Sequence, residues 1–187
     1  MKAAVIVIDV INDFVSGVFG SERAERIVPE IRRLIRHARG EGVPVIHVTD
    51  AHLPEIDREF EIWGSHAVEG SDGAQIVDAV APAAGDYHIK KRRYSAFYAT
   101  GLEALLRELG VDTVVLTGLV TNICIQHTAA DAFFRGHRVV VPRDCVEAPS
   151  DEEQRTALSY MERMYGAEIT TSEALMRGLL RGEGTAT

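Results

Sequence analysis

The stretch TVVLTGLVTNICIQHTAADAFFRGHRVVV, residues 113–141, decides the fold class. Residues 113–117 form a short β-branched run, rich enough in apolar side chains to be covered on both faces. Residues 123–135 then have helix length, and Gly136 falls where a helix end calls for a residue tolerant of positive φ. A second β-branched run, residues 139–141, follows at once. Strand, crossover helix and strand in this order imply parallel pairing.

Working outward, the same alternation runs through the chain. Residues 4–8, 45–49, 87–90 and 168–170 read as strands, and residues 25–39, 102–109, 151–164 and 173–180 as helices. Gly110 and Gly166 punctuate two more helix ends. The pattern predicts an α/β domain with a mostly parallel sheet covered by helices on both faces, spanning residues 1–187 as one unit. Residues 51–84 break the rhythm with Pro54, Gly64, Gly70, Gly73 and Pro82, and carry only a brief helical pattern at 74–80. A long irregular segment inside a compact domain reads as a functional loop. Residues 182–187 are expected to fray, and the chain has no internal repeat.

With 46% hydrophobic and 26% charged residues, the 187-residue chain can bury a sizeable core. A formal charge of −8 repels nucleic acid and anionic membranes, which leaves a small-molecule role. The first ten residues enter a strand-like run without the features of a signal peptide, and no apolar stretch is long enough to span a bilayer. Two cysteines, Cys124 and Cys145, make no disulfide framework and no Cys-x-x-Cys pair, so a reducing cytoplasm is expected.

In open parallel sheets, ligands bind beyond the carboxyl ends of the strands. The residues expected there are Asp9, Asp50, Lys91 and the turn from Gly118 to Cys124. Cys124 is placed at the start of the helix over 123–135, where unpaired N–H groups and a nearby cation such as Lys91 favour a negative sulfur. Cys145 has no such partner and reads as a small buried hydrophobe.

Three motifs now stand together: VIDVINDF at Val7 to Phe14, KRRYSAF at Lys91 to Phe97, and GLVTNIC at Gly118 to Cys124. In this order and spacing the chain resembles the isochorismatase-like cysteine hydrolases, the nicotinamidase-type amidohydrolases above all. The resemblance implies a three-layer α/β/α fold with six parallel strands and a catalytic triad of Asp9, Lys91 and Cys124. It also implies a cis peptide between Leu119 and Val120, and an oxyanion hole made by the backbone N–H groups of Val120 and Cys124. The implied reaction is hydrolysis of a small amide, nicotinamide first, through a thioester. Asp50, His52 and His66 resemble the metal ligands of nicotinamidases, with Glu59 as an additional ligand or a supporting group. Two imidazoles and a carboxylate suit zinc, with iron or manganese as alternatives.

Phe14 and Trp63 match positions where such enzymes wall a planar ring. Tyr94, Phe97 and His127 are expected to pack. Ile11 departs from the glutamine common in nicotinamidases, which would change the pocket's polarity. Self-association into a homo-oligomer is expected by the same resemblance. Two other readings stand beside nicotinamide hydrolysis: a hydrolase of another small amide, ureide or carbamoyl compound, and a catalytically inactive binding or assembly subunit. A nucleotide-binding module is disfavoured, because no Gly-x-Gly-x-x-Gly and no Walker-type phosphate loop follows any strand.

Overall fold

A computed structural model describes residues 2–180, so the tail expected to fray lies outside the described residues. In chain order the elements are β1 (Ala3–Ile8), α1 (Asn12–Val15), α2 (Glu22–Gly40), β2 (Val45–Asp50), α3 (Phe60–Trp63), β3 (Tyr87–Lys91), α4 (Leu102–Glu108) and β4 (Thr113–Leu119). There follow α5 (Gln126–Phe134), β5 (Arg138–Pro142), β6 (Val146–Glu147), α6 (Asp151–Tyr165), β7 (Glu168–Thr170) and α7 (Ser172–Arg177). The main sheet has the order β3-β2-β1-β4-β5-β7. Every pairing between these strands is parallel. The expected six strands are therefore present, and the two-residue β6 adds a seventh by pairing with the end of β4.

The strands are apolar throughout because each face of the sheet has its own core. Ala4, Ile6 and Ile8 of β1 point into one cluster with Leu102 and Leu106 of α4, Ala129 and Ala132 of α5 and Met161 of α6. Ala3, Val5 and Val7 alternate into the other, against α2 and Leu175 of α7. The buried stripe of α2 (Ala24, Ile27, Val28, Ile31, Leu34, Ile35, Ala38) has the three-and-four spacing of a helix that covers one face. Among the described residues, no helix is long and apolar enough to cross a membrane.

Sheet order locates the crevice. The chain moves outward from β1 through β2 to β3, then returns to lay β4 against the opposite side of β1. Loops leaving β1 and β4 must diverge there, which opens a cleft at the carboxyl ends. The two strand ends meet backbone to backbone: Gly118 has φ 110°, and a Cβ on it would lie 1.9 Å from the carbonyl oxygen of Ile8. Only glycine fits at that contact.

Two local expectations are corrected. The helix expected over residues 123–135 begins at Gln126; before it, Thr121–Ile125 forms a π-helical turn in which the Val120 carbonyl accepts N–H groups of both Ile123 and Ile125. Cys124 thus lies in a wide turn ahead of the helix. Residues 51–84 are irregular as expected, but the helical pattern at 74–80 resolves into two 3-10 turns, Asp72–Ala74 and Asp78–Val80. Asp13 ties this segment down, its Oδ2 accepting the Ala67 N–H at 2.8 Å.

Candidate active site

Each strand end delivers one polar side chain to the crevice. Asp9 follows β1 in the left-handed region, φ 53°, with its N–H donating to Val48 of β2. Asp50 and Lys91 are the last residues of β2 and β3, in register with each other. Cys124 comes from the turn after β4. All four are buried.

Lys91 organises them. Its Nζ lies 2.7 Å from Asp9 Oδ2, 2.6 Å from Asp50 Oδ1 and 3.5 Å from Cys124 Sγ. Asp9 Oδ1 accepts the Asp50 backbone N–H at 2.7 Å, so the two carboxylates are held in fixed relation. Burial alone would strip the lysine of its proton, but Asp50 and Asp9 outweigh it and raise its pKa. Asp9 is pushed up to about 6 by burial and by the charge of Asp50, against the opposing pull of Lys91. Burial also drives the Cys124 thiol well above its ordinary value; Lys91 opposes the shift, and Asp9 and Asp50 reinforce it. The expectation of a favoured negative sulfur is thus corrected for the ligand-free site: two buried carboxylates and lost solvation outweigh one ammonium.

The predicted triad is brought together, and Asp50, expected in the same crevice and as a metal ligand, is a fourth member of its charge network. Its other oxygen faces the metal group, with Oδ2 at 3.6 Å from His52 Nε2. One ligand atom each from Asp50, His52 and His66 lies within 4.8 Å of the others, and all three residues are buried. The imidazole tautomers fit a cation. His52 Nδ1 faces Asp57 Oδ2 at 3.3 Å and His66 Nδ1 faces the Gly64 carbonyl at 2.8 Å, so each Nδ1 donates and each Nε2 keeps a free lone pair. His52 Nε2 is buried without a hydrogen-bond partner, as a ligand atom would be. Glu59 Oε2 approaches the same nitrogen at 3.6 Å but stands at the edge of the three-residue group.

These groups open onto a cavity of about 400 Å³. Phe14 and Trp63 line it, as expected, and so does Tyr94, whose hydroxyl accepts a hydrogen bond from Trp63 Nε1 at 3.0 Å. Phe19, which the sequence reading missed, stacks on Phe14 at 5.6 Å and meets Trp63 and His66 edge-on. Val120 and Cys124 also line the cavity, and the Leu119–Val120 peptide is cis. Phe97 packs in the core, and His127 turns its Nδ1 to the Ile123 carbonyl and its ring to Tyr94, away from the cavity. Ile11 is fully buried and bridged to Ile76, so its departure from glutamine falls outside the cavity lining.

Two acids escaped the sequence reading, Asp57, which is buried, and Asp13, which is half-buried. Asp57 accepts from Arg92, Arg93 and the Leu53 N–H while it faces His52, and Arg92 holds its carboxyl well below the ordinary range. In the acidic run at 55–61 nothing separates it from its neighbours. Asp13 lay inside the first motif, but only the fold shows that it anchors the loop behind His66.

A parallel sheet covered by helices on both faces, with an aspartate, a lysine and a cysteine converging beside an aromatic cavity, defines the class: an α/β protein with a buried Asp-Lys-Cys centre at its strand ends. Within that class, the Isochorismatase domain family model matches residues 3–174, and the chain belongs to this family. It is similar to the N-carbamoylsarcosine amidase of Thermoplasma acidophilum, with 42% identity, 92% of this chain and 98% of that one covered, and a TM-score of 0.87. Nicotinamidase PncA from Bacillus subtilis shares 32% identity over 91% of this chain and 99% of its own, also at 0.87. The pyrazinamidase of Pyrococcus horikoshii, solved in complex with zinc, shares 29% identity over 91% and 99%, with a TM-score of 0.84.

Proposed function

We propose that this protein is a cysteine-dependent hydrolase of a small amide, with nicotinamide, cleaved to nicotinate and ammonia, as its first candidate substrate. The observation that carries the reading is the contact of Lys91 with Asp9, Asp50 and Cys124 on the floor of an aromatic cavity. In this reading the amide carbonyl carbon sits over Cys124 Sγ. Asp9 takes the thiol proton as sulfur attacks, which suits a thiol that is protonated at rest beside a carboxylate of pKa about 6. The carbonyl oxygen becomes negative and is received by the N–H groups of Val120 and Cys124, each such donor contributing about 2.7–4 kcal/mol. Asp9 returns the proton to nitrogen as the C–N bond breaks and ammonia leaves. Water, deprotonated by Asp9, then attacks the thioester; the S–C bond breaks, Cys124 recovers its proton and the acid departs. Lys91 holds Asp9 and the developing thiolate throughout.

Asp50, His52 and His66 would hold a divalent metal, zinc first, with Glu59 beside them. When bound, such an ion supplies a Lewis-acid position that a ring nitrogen or a water can occupy. The chain's own residues complete recognition, with Phe14, Phe19 and Trp63 enclosing a planar ring.

A second reading, hydrolysis of a carbamoyl or ureido compound, is supported by the 42% identity to an N-carbamoylsarcosine amidase. Ammonia release from nicotinamide, with added zinc, manganese or iron, tests the first reading. Release by the native protein that falls at least a thousandfold in Cys124→Ala supports both the activity and the nucleophile. Full turnover by Cys124→Ala would remove the cysteine from the mechanism.

A further inference from the structure

The cavity's charge is one-sided. Among the described residues that line it there is no lysine or arginine, whereas four carboxylates are present: Asp50, Glu59, Glu147 and Glu153. Three of them have cationic or imidazole neighbours. Asp50 is paired with Lys91, Glu147 is gripped by Arg23 and Arg26 at 2.7 and 2.8 Å, and Glu59 faces His52. Glu153 differs. Its carboxylate accepts from the Ser150 hydroxyl at 2.7 Å and from Asn122 Nδ2 at 3.4 Å, and the described residues give it no ion pair. Asn122, its neighbour in the lining, has a buried Oδ1 with no hydrogen-bond partner among the described residues.

The start of α6 could have offset this, since a helix N-terminus attracts anions. Here it is already capped: Ser150 Oγ accepts the Glu153 N–H at 3.2 Å and donates its own hydrogen to the Glu153 carboxylate. Glu153 therefore adds an unpaired negative charge to the cavity lining that the helix start does not offset.

We infer that the pocket takes amides whose non-reacting end is neutral or positively charged and rejects amides that carry a carboxylate, with Glu153 setting the preference. The inference rests on the reading of the Cys124 cavity as the amide site. It also narrows that reading, because N-carbamoyl amino acids are anions and nicotinamide is neutral. Like charges in a partly desolvated cleft disfavour binding by about tenfold or more.

The test uses a pair that differs in one charge, methyl 3-carbamoylbenzoate and 3-carbamoylbenzoate, titrated calorimetrically into Cys124→Ala protein so that nothing turns over. The ester is expected to bind at least about tenfold more tightly than the acid. Adding Glu153→Gln in that background should shrink the ratio severalfold. Equal or tighter binding of the acid overturns the inference, as does failure of both to bind, and an unchanged ratio in Glu153→Gln removes that residue's part. Ammonia release from the ester by the native protein is scored separately. Its absence, with charge selection intact, would fault the hydrolase reading alone.

Discussion

Asp50 serves two groups at once: Oδ1 meets Lys91 and Oδ2 faces His52, so a substitution there disturbs both the Lys91 charge network and the proposed metal group. Two neighbours separate the effects. Lys91 is the only cation within ion-pair distance of the buried Asp9 carboxylate among the described residues. Lys91→Met leaves two buried carboxylates facing each other, and is expected to lower stability at neutral pH by roughly 3–5 kcal/mol in urea unfolding. A loss below 1 kcal/mol would mean that the pair is far better solvated than its burial indicates. Of the two groups Asp57 touches only the metal one, through His52 Nδ1, while it also holds Arg92, Arg93 and the Leu53 N–H. Asp57→Asn keeps the shape but weakens the acceptor that fixes the imidazole tautomer, so zinc affinity by calorimetry should fall about 10–100-fold. Unaltered affinity would show that the tautomer is set by something else.

At the scale of elements, strand ends do the positioning, and their close approach leaves little room for change. Gly118→Ala would drive a methyl group into the Ile8 carbonyl at positive φ, and is expected to yield insoluble protein or one lacking the cooperative thermal transition of the parent. Another constraint sits at the other edge of the sheet, where Asp86 binds Arg39 at 2.5 Å and accepts the Ala83 N–H. Burial pushes its carboxyl up, but Arg39 and that N–H outweigh burial and hold it below its ordinary value. A depressed folded-state pKa contributes stability above the unfolded pKa of about 4, and the contribution is lost as pH falls through the lower, folded value. Asp86→Asn should therefore cost stability at pH 7, and the difference from the parent should shrink as pH falls below the unfolded value of about 4, as read from urea midpoints. Helices α2, α4, α5, α6 and α7 and the six main strands were legible because apolar period and glycine punctuation agree in them, whereas the one-turn helices α1 and α3 are too short to show a period. The Thr121–Ile125 turn was not, because the apolar residues of 123–135 continue a helical period through it while the backbone widens around the Val120 carbonyl.

The whole molecule explains why half of the site was readable and half was not. Asp9, Asp50, Lys91 and Cys124 are placed by strand ends, a rule visible in one dimension. Asp57, Phe19 and Glu153 reach the site from loops and from a helix that no periodicity directs there, so only the folded chain picks them out. The metal group spans both kinds, with Asp50 on β2 and His66 in the loop tied back through Asp13 and Ala67. Those ligand atoms converge only in the folded chain, so a cation that binds them must stabilise the fold by mass action. At zinc a hundredfold above its dissociation constant the gain is about 2.7 kcal/mol. For a chain of this size that corresponds to a rise in Tm of roughly 5–11 °C. Scanning calorimetry should show this rise in the native protein, its reversal by a chelator and its loss in His52→Ala. A Tm indifferent to zinc would leave Asp50, His52 and His66 as a hydrogen-bonded cluster, and the aromatic rings as the site's means of holding a substrate.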